Sequence, residues 1–138
     1  MFIKNGGITK PGGGQYNPAK VGSAVHLDTG DIYYGYSGAT QFNPSKHEIL
    51  PELQALIDNA KTLAANAPTN PYAVIASFEK WSVENCAEIY AVNNALRGGA
   101  DINSIFIYTK TFNTSIYAPP CKNCLVTFKD FLMLSIGG

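Results

Sequence analysis

The 138-residue sequence carries little charge and no excess of either sign. Ten Lys and Arg residues balance ten Asp and Glu residues, and charged residues make up 14% of the chain, against about 25% in an average globular protein. This balance excludes a polybasic segment that binds nucleic acid through bulk charge. The hydrophobic fraction of 46% excludes an intrinsically disordered chain. We therefore predict one compact domain that recognises its partners through local surface chemistry.

The sequence also lacks a long uninterrupted apolar run. No apolar core of a signal peptide follows Met1, and the longest apolar stretch, 125–136, is interrupted by Lys129 and Asp130. A transmembrane helix needs about 20 predominantly apolar residues. We therefore predict no membrane segment in this sequence.

Cysteine is scarce, and its number is odd. The three cysteines cannot all pair within the chain, so we do not expect a disulfide scaffold. Cys86 stands alone, and Cys121 and Cys124 form a C-x-x-C motif. Taken separately, Cys86 could be a small core residue, and C-x-x-C occurs in zinc sites, in redox sites and by chance. Together they favour a metal site, because both groups fall at predicted helix starts and no cysteine is left over.

Glycine and proline are concentrated near the beginning of the sequence, in Gly6-Gly7, Pro11–Gly14 and Asn17-Pro18. Such a composition disfavours regular secondary structure and is typical of linkers. We therefore predict a lead-in or linker over residues 1–20, without a regular element, and a folded domain over residues 21–138.

Apolar periodicity in the remaining sequence predicts both helices and strands. Alternating and β-branched residues around the turn at 28–31 predict a β-hairpin, whereas apolar residues at helical spacing predict amphipathic helices. The predicted strands cover 24–27, 32–36, 102–108 and 131–136, and the predicted helices cover 48–65, 82 or 84 to 97, and 121–128. This order predicts an α/β domain with helices packed against one sheet.

The cysteines and one glutamate form a pattern that suits a catalytic zinc. A zinc ion with three protein ligands keeps its fourth position for water or substrate. Three thiolates give such a site a net negative charge, which the N–H groups of two helix N-termini can offset. Glu88 follows Cys86 by two residues, so its carboxylate can reach the site without being a ligand. Zinc-dependent nucleobase deaminases use this combination of ligands and glutamate.

Three segments carry a resemblance to a known family: Asn85–Glu88, Leu96–Ala100 and, after a predicted strand, Ala118–Cys124. Together they resemble the cytidine-deaminase-like superfamily, and most closely the YwqJ-like deaminases that form toxin domains of bacterial polymorphic toxins. The resemblance covers about residues 24–136. It implies a three-layer α/β fold in which the zinc-bearing helices pack on a mixed sheet of four to five strands. Only 14 residues follow Cys124, which puts the last strand of the family's sheet in question.

The resemblance also implies an activity and a set of roles. Cys86 takes a position usually held by histidine, so that Cys86, Cys121 and Cys124 would bind Zn²⁺ and Glu88 would be the general acid/base. The reaction would convert cytosine to uracil in nucleic acid, with DNA favoured. As a toxin domain, the protein would be secreted or delivered into the cytoplasm of a target cell. Its partners would be the nucleic acid and a cognate immunity protein, and it would act as a monomer.

Two other functions stay open from the residues alone. The neutral net charge favours a deaminase of free cytidine or deoxycytidine nucleosides or nucleotides, because composition indicates no basic groove. A zinc-stabilised binding domain without catalysis is the third possibility. It would normally need four protein ligands, and His26 is the modest substitute for a fourth cysteine.

Substrate contacts are predicted in the loops around the signature. Ser37 and Asn43 follow the hairpin, although turn formation explains them equally well. Phe112 and Tyr117 could stack on a base, and Lys110 could meet a phosphate. The candidate substrate-binding residues are Ser37, Asn43, Ala87, Phe112, Tyr117, Pro119 and Pro120.

Several other residues have an ordinary structural explanation. A lone histidine in a strand or before a helix, such as His26 or His47, is more often structural than catalytic. Phe78 and Trp81 precede the predicted zinc-bearing helix, and we expect them to be core or staple residues rather than a ligand platform.

Overall fold

A computed structural model describes residues 18–38, 43–112, 114 and 116–131, and the backbone of 8–9, 15–16 and 132–133. Two short 3₁₀ helices, at Ala73–Ile75 and Val83–Asn85, lie between the first two α-helices. The strands are β1 (Ile8–Thr9), β2 (Gln15–Tyr16), β3 (Lys20–His26), β4 (Ile32–Tyr36), β5 (Ile105–Thr111) and β6 (Leu132–Met133), and the α-helices are α1 (Pro51–Asn66), α2 (Ala87–Arg97) and α3 (Lys122–Thr127). Within these described residues, no helix has both the length and the apolar character needed to cross a membrane.

The main sheet has the strand order β4-β3-β5-β6. β3 pairs antiparallel with β4 on one side and with β5 on the other, and the two-residue β6 pairs parallel with β5. The predicted hairpin and the α/β class are therefore confirmed. The predicted mixed sheet of four to five strands is wrong: the sheet consists of three antiparallel strands, and the parallel strand at its edge, β6, is only two residues long.

Helix α2 lies very close to the sheet because glycines face it. Gly22 of β3 is paired with Gly35 of β4, and both lie under the first turns of α2. A Cβ atom at Gly35 would stand 2.2 Å from the backbone N of Ala91 and 2.5 Å from the carbonyl O of Ala87. A side chain of any size would therefore push away the helix that carries Glu88.

We expect Gly35→Ala to lower the free energy of unfolding by about 3 kcal/mol, because the added methyl group meets backbone atoms that cannot rotate away. Gly30→Ala is the matched control: Gly30 has φ +80° but open space around it, so the cost there is about 1–2 kcal/mol of backbone strain. Urea denaturation measures both. Equal losses at the two positions would contradict the close approach of α2.

One hydrophobic core joins the three α-helices to a single face of the sheet. Its members are fully or nearly fully buried, and Leu50, directly before α1, is half-buried and packs against them. The opposite face of the sheet carries a smaller cluster of Val21, Tyr36 and Phe112. Residues of the main core include Ala24, Leu53, Ile57, Ile89, Val92, Ala95, Leu96, Ile105, Ile107, Cys124 and Phe128.

Some predicted boundaries were wrong. The lead-in contains the strands β1 and β2, which pair antiparallel over two residues each, because a glycine-rich sequence disfavours long elements without preventing a short pairing. Strand β5 starts three residues later than predicted, since the segment before it forms a turn in which the Asp101 carboxylate accepts a hydrogen bond from the Asn103 N–H. Of the predicted closing strand 131–136, β6 covers two residues, and 134–136 lie outside the described residues.

Candidate metal centre

The structure brings the three cysteines together. Their Sγ atoms all lie within 4.8 Å of one another, and the Sγ atoms of Cys86 and Cys121 are 3.3 Å apart. Three sulfur ligands placed tetrahedrally at the usual Zn–S distance stand about 3.8 Å apart. None of the thiols is in a disulfide. The cluster therefore has the spacing and the donor chemistry to hold one metal ion, and Zn²⁺ fits it.

Each group of cysteines is placed by the start of a helix. Cys86 is the N-cap residue of α2 and Cys121 is that of α3, both with extended backbone angles. The helix predicted from 82 or 84 is interrupted at this point: a 3₁₀ turn ends at Asn85, and α2 begins at Ala87. This break in the helix directs Cys86 toward the C-x-x-C motif on α3.

The pKa values of the three thiols are shifted in different directions. Hydrogen bonds with the Cys124 and Cys86 thiols, supported by the backbone N–H groups of Asn123 and Cys124, hold the pKa of Cys121 well below its usual value. Burial raises the pKa of Cys124, and the hydrogen bond to Cys121 raises that of Cys86. The pKa of Cys121 is therefore lowered, whereas those of Cys86 and Cys124 are raised. A divalent cation would stabilise all three thiolates, as zinc ligation requires.

Glu88 lies beside the thiols in the first turn of α2 and is 3% exposed. Burial raises the pKa of its carboxyl group, while hydrogen bonds with its own backbone N–H, Thr109 and Cys124 oppose this rise. Within the residues that the structure describes, neither ion pair involves Glu88. A buried carboxyl group without a cationic partner is costly to maintain, and such groups concentrate at functional sites.

A pocket with a volume of ≈ 160 Å³ opens at this cluster. Drug-sized ligands occupy pockets of about 300–1,000 Å³, so this one suits a group about the size of a single ring. Cys86, Glu88 and Cys121 form its chemically active part, and the remaining lining residues are Ala19, Lys20, Ser37, Trp81, Asn85 and Ala87.

The predicted substrate contacts divide into two groups. Ser37 and Ala87 line the pocket, whereas Asn43 does not. The Asn43 amide donates hydrogen bonds to the carbonyl oxygens of Tyr36 (2.6 Å) and Gly38 (2.9 Å), so it ties the chain to the end of β4.

The remaining predicted contacts also lie away from the pocket lining. Phe112 is buried on the other face of the sheet, with its ring centroid 6.0 Å from that of Tyr36. Tyr117 packs against Tyr108, with their ring centroids 6.2 Å apart. Pro119 is exposed and Pro120 is half-buried just before Cys121.

The two histidines stay outside the metal cluster. His26 lies in β3, with Nδ1 3.2 Å from the Thr29 hydroxyl and Nε2 3.4 Å from the Asp28 carboxylate. His47 is exposed. Neither joins Cys86, Cys121 and Cys124 in the described part of the chain.

Sequence reasoning missed four residues of the pocket lining: Ala19, Lys20, Trp81 and Asn85. We expected Trp81 to be a core or staple residue; it packs against the core and also lines the pocket. Trp81 lies five residues before Cys86 in the sequence, and this proximity is the sequence feature from which its place in the pocket could have been predicted. Asn85 directly precedes Cys86 in the same turn.

Asn123, between the two cysteines of the C-x-x-C motif, is fully buried. Its Oδ1 accepts a hydrogen bond from the backbone N–H of Phe78 (2.8 Å), and its Nδ2 donates to the Ser77 hydroxyl (2.9 Å) and the Trp81 carbonyl (3.4 Å). One side chain thus joins α3 to the segment 77–81.

We expect Asn123→Ala to lower the free energy of unfolding by about 2–4 kcal/mol, because the change leaves several buried polar groups without partners, each at about 1–3 kcal/mol. Asn66→Ala is the matched control, since Asn66 is exposed and its amide donates a hydrogen bond to the Thr62 carbonyl within its own helix. Thermal denaturation compares the two. A loss at Asn123 no larger than at Asn66 would contradict the proposed link between α3 and segment 77–81.

No protein-family model matches this chain, and no curated protein or solved structure matches it.

Proposed function

We propose that this protein is a zinc-dependent hydrolytic deaminase that converts cytosine to uracil. Cys86, Cys121 and Cys124 would hold the zinc ion, and Glu88 would be the general acid/base. The observation that carries the proposal is the buried Glu88 carboxyl group, which has no cationic partner among the described residues and lines a pocket together with Cys86 and Cys121 of the thiol cluster.

The number of ligands favours a catalytic site over a structural one. Structural zinc sites have four protein ligands, and catalytic sites have three. Among the described residues, the cluster contains three Cys, His, Asp or Glu ligands and no fourth. Glu88 stands where its carboxylate can exchange protons with a substrate in the pocket.

The reaction adds water to C4 of cytosine, breaks the bond between C4 and the exocyclic nitrogen, and releases ammonia. Zinc, when bound, supplies a Lewis acid that makes water a stronger nucleophile near neutral pH. Glu88 accepts a proton from the attacking water and transfers it to the ring nitrogen N3. The carboxylate then takes the remaining proton of the added water from the C4 hydroxyl and transfers it to the departing amine, so that the C4 carbonyl forms, ammonia leaves and Glu88 is ionised again.

The resemblance of the signature supports the finer parts of the proposal. The hairpin, α2 with Cys86 and Glu88, β5, and α3 with Cys121 and Cys124 follow one another in the order expected of a cytidine-deaminase-like fold. The likeness to YwqJ-like toxin domains supports cytosine in nucleic acid, with DNA favoured, as the substrate. It also supports delivery to the cytoplasm of a target cell and an immunity protein as partner.

A substrate panel tests this function. Zinc-loaded protein is incubated with cytosine-containing single-stranded DNA, duplex DNA, RNA, cytidine, deoxycytidine and cytidine 5′-monophosphate, and uracil and ammonia are measured together. We expect equal amounts of both products with DNA. If only the free nucleosides or nucleotides are turned over, nucleic acid is not the substrate and the proposal for a nucleic-acid substrate is overturned. Absence of uracil in every arm would overturn the cytosine deaminase.

A further inference from the structure

We propose that the indole of Trp81 is the wall on which the planar ring of the substrate stacks, and that Asn123 is the residue that positions this wall. The inference rests on the proposed deaminase function and adds a ring-binding residue that the signature does not contain. It places a planar heteroaromatic ring in the pocket that Trp81 and Glu88 both line.

The composition of the pocket supports this role. Among the described residues, Trp81 is the one aromatic residue in its lining, and the other lining residues are small or polar or belong to the thiol and carboxyl cluster. A flat apolar surface beside the polar side chains of Ser37 and Asn85 suits a ring with a π face and hydrogen-bonding edges. Stacking tolerates different rings because every base has a π face, so polar contacts at the ring edge must supply the choice of base.

The position of Trp81 is fixed through its backbone. The Trp81 carbonyl accepts hydrogen bonds from the Ser77 hydroxyl and from Nδ2 of Asn123. Asn123 is fully buried and lies between Cys121 and Cys124 on the chain. The segment that carries the indole and the helix that carries two thiols are therefore built as one unit, which sets the distance between the stacking wall and the reacting atoms.

Trp81 is the single tryptophan in a chain with eight tyrosines, so tryptophan-selective excitation reports on this wall alone. The zinc-loaded Glu88→Gln variant is titrated with cytidine 5′-monophosphate, which allows binding without turnover. Ribose 5-phosphate is the matched probe without a ring, and free N-acetyltryptophanamide corrects for absorption by the base. We expect saturable quenching by the nucleotide and none by ribose 5-phosphate. A fluorescence signal that stays unchanged at every nucleotide concentration, or that responds equally to ribose 5-phosphate, would overturn the stacking wall.

Steady-state kinetics of variants that keep Glu88 give a second test. Trp81→Leu is expected to raise KM by about 5- to 150-fold, which corresponds to the loss of one base–aromatic stack, with a smaller change in kcat and unchanged zinc content. Trp81→Phe keeps a flat ring and should recover most of the affinity. Phe131→Leu is the matched control, because Phe131 is also a half-buried aromatic packed against the same core but is absent from the pocket lining.

The positioning role of Asn123 has its own readout. Asn123→Asp keeps the oxygen that accepts from Phe78 but removes the donor to the Trp81 carbonyl. We expect it to raise KM in the same direction as Trp81→Leu and to shift the tryptophan emission. An unchanged KM and emission would overturn this role.

The outcomes separate the two proposals. Uracil formation with an unchanged KM in Trp81→Leu overturns the stacking wall and leaves the deaminase standing. If the nucleotide quenches the Glu88→Gln variant saturably but the wild-type protein forms no uracil with any substrate of the panel, the stacking wall is supported and the deaminase function is overturned.

Discussion

Replacing Glu88 with glutamine is expected to lower the rate of uracil formation by about 10²–10⁴-fold, the usual contribution of a general acid/base. Glutamine keeps the size and the hydrogen-bonding edge of the side chain but cannot accept and release the proton. The zinc content should stay at one ion per chain, because Glu88 is not a ligand in this account. Rates of uracil formation and metal analysis on the same preparation measure both quantities.

Glu84→Gln is the matched control for this change. Glu84 is a half-buried carboxylate in the turn before α2, forms an ion pair with Lys61 and is absent from the pocket lining. We expect this variant to keep wild-type activity. Full activity in Glu88→Gln, or equal losses in the two variants, would contradict the role of Glu88.

Cys124→Ser is expected to abolish stable zinc binding and with it all turnover. A serine hydroxyl is a much poorer zinc ligand than a thiolate, which zinc prefers. The free energy of zinc binding adds to the stability of the folded chain, so the thermal midpoint of the zinc-loaded protein should also fall toward that of the metal-free protein. Metal analysis after dialysis and thermal denaturation with and without zinc measure these effects.

Thr127→Ser provides the comparison for Cys124→Ser. Thr127 is buried on the same helix, and its hydroxyl, which serine retains, donates to the Asn123 carbonyl at 2.7 Å. This variant should keep its zinc. Retention of one zinc per chain by Cys124→Ser would contradict the assignment of the three thiols as a single ligand set.

The thiol cluster could be predicted from the sequence because its determinants are local. Cys86 and the C-x-x-C motif stand at helix starts, and a helix N-terminus is readable from composition and periodicity over a few residues. Glu88 followed from its spacing to Cys86. The full ligand set and the acid/base role came from this pattern together with the resemblance, because the contact between Cys86 and Cys121 joins positions 35 residues apart.

The walls of the pocket depend on long-range contacts and could not be predicted in the same way. Trp81 lines the pocket because segment 77–81 is tied to Asn123, a residue more than 40 positions away in sequence. Asn43 had a polar side chain suited to a ligand, yet its amide is used by the backbone around β4. Deciding between such roles requires the partners of each polar atom, and the sequence does not contain them.

The close packing of α2 was also beyond sequence analysis. Gly22 and Gly35 lie 13 residues apart in the sequence and become neighbours through the register of β3 and β4. Hydrophobic periodicity identifies the inner face of α2 but does not show how near the helix comes to the sheet. The glycine pair determines that distance, and with it the position of Glu88.

X-ray absorption at the zinc edge of the loaded protein tests the central claim most directly, namely that the three cysteines form an open, catalytic zinc site. We predict three sulfur neighbours at about 2.3 Å and one oxygen or nitrogen neighbour at about 2.0 Å. Four sulfur neighbours, which would require two chains to share a zinc ion, or a protein that binds no zinc, would contradict the account.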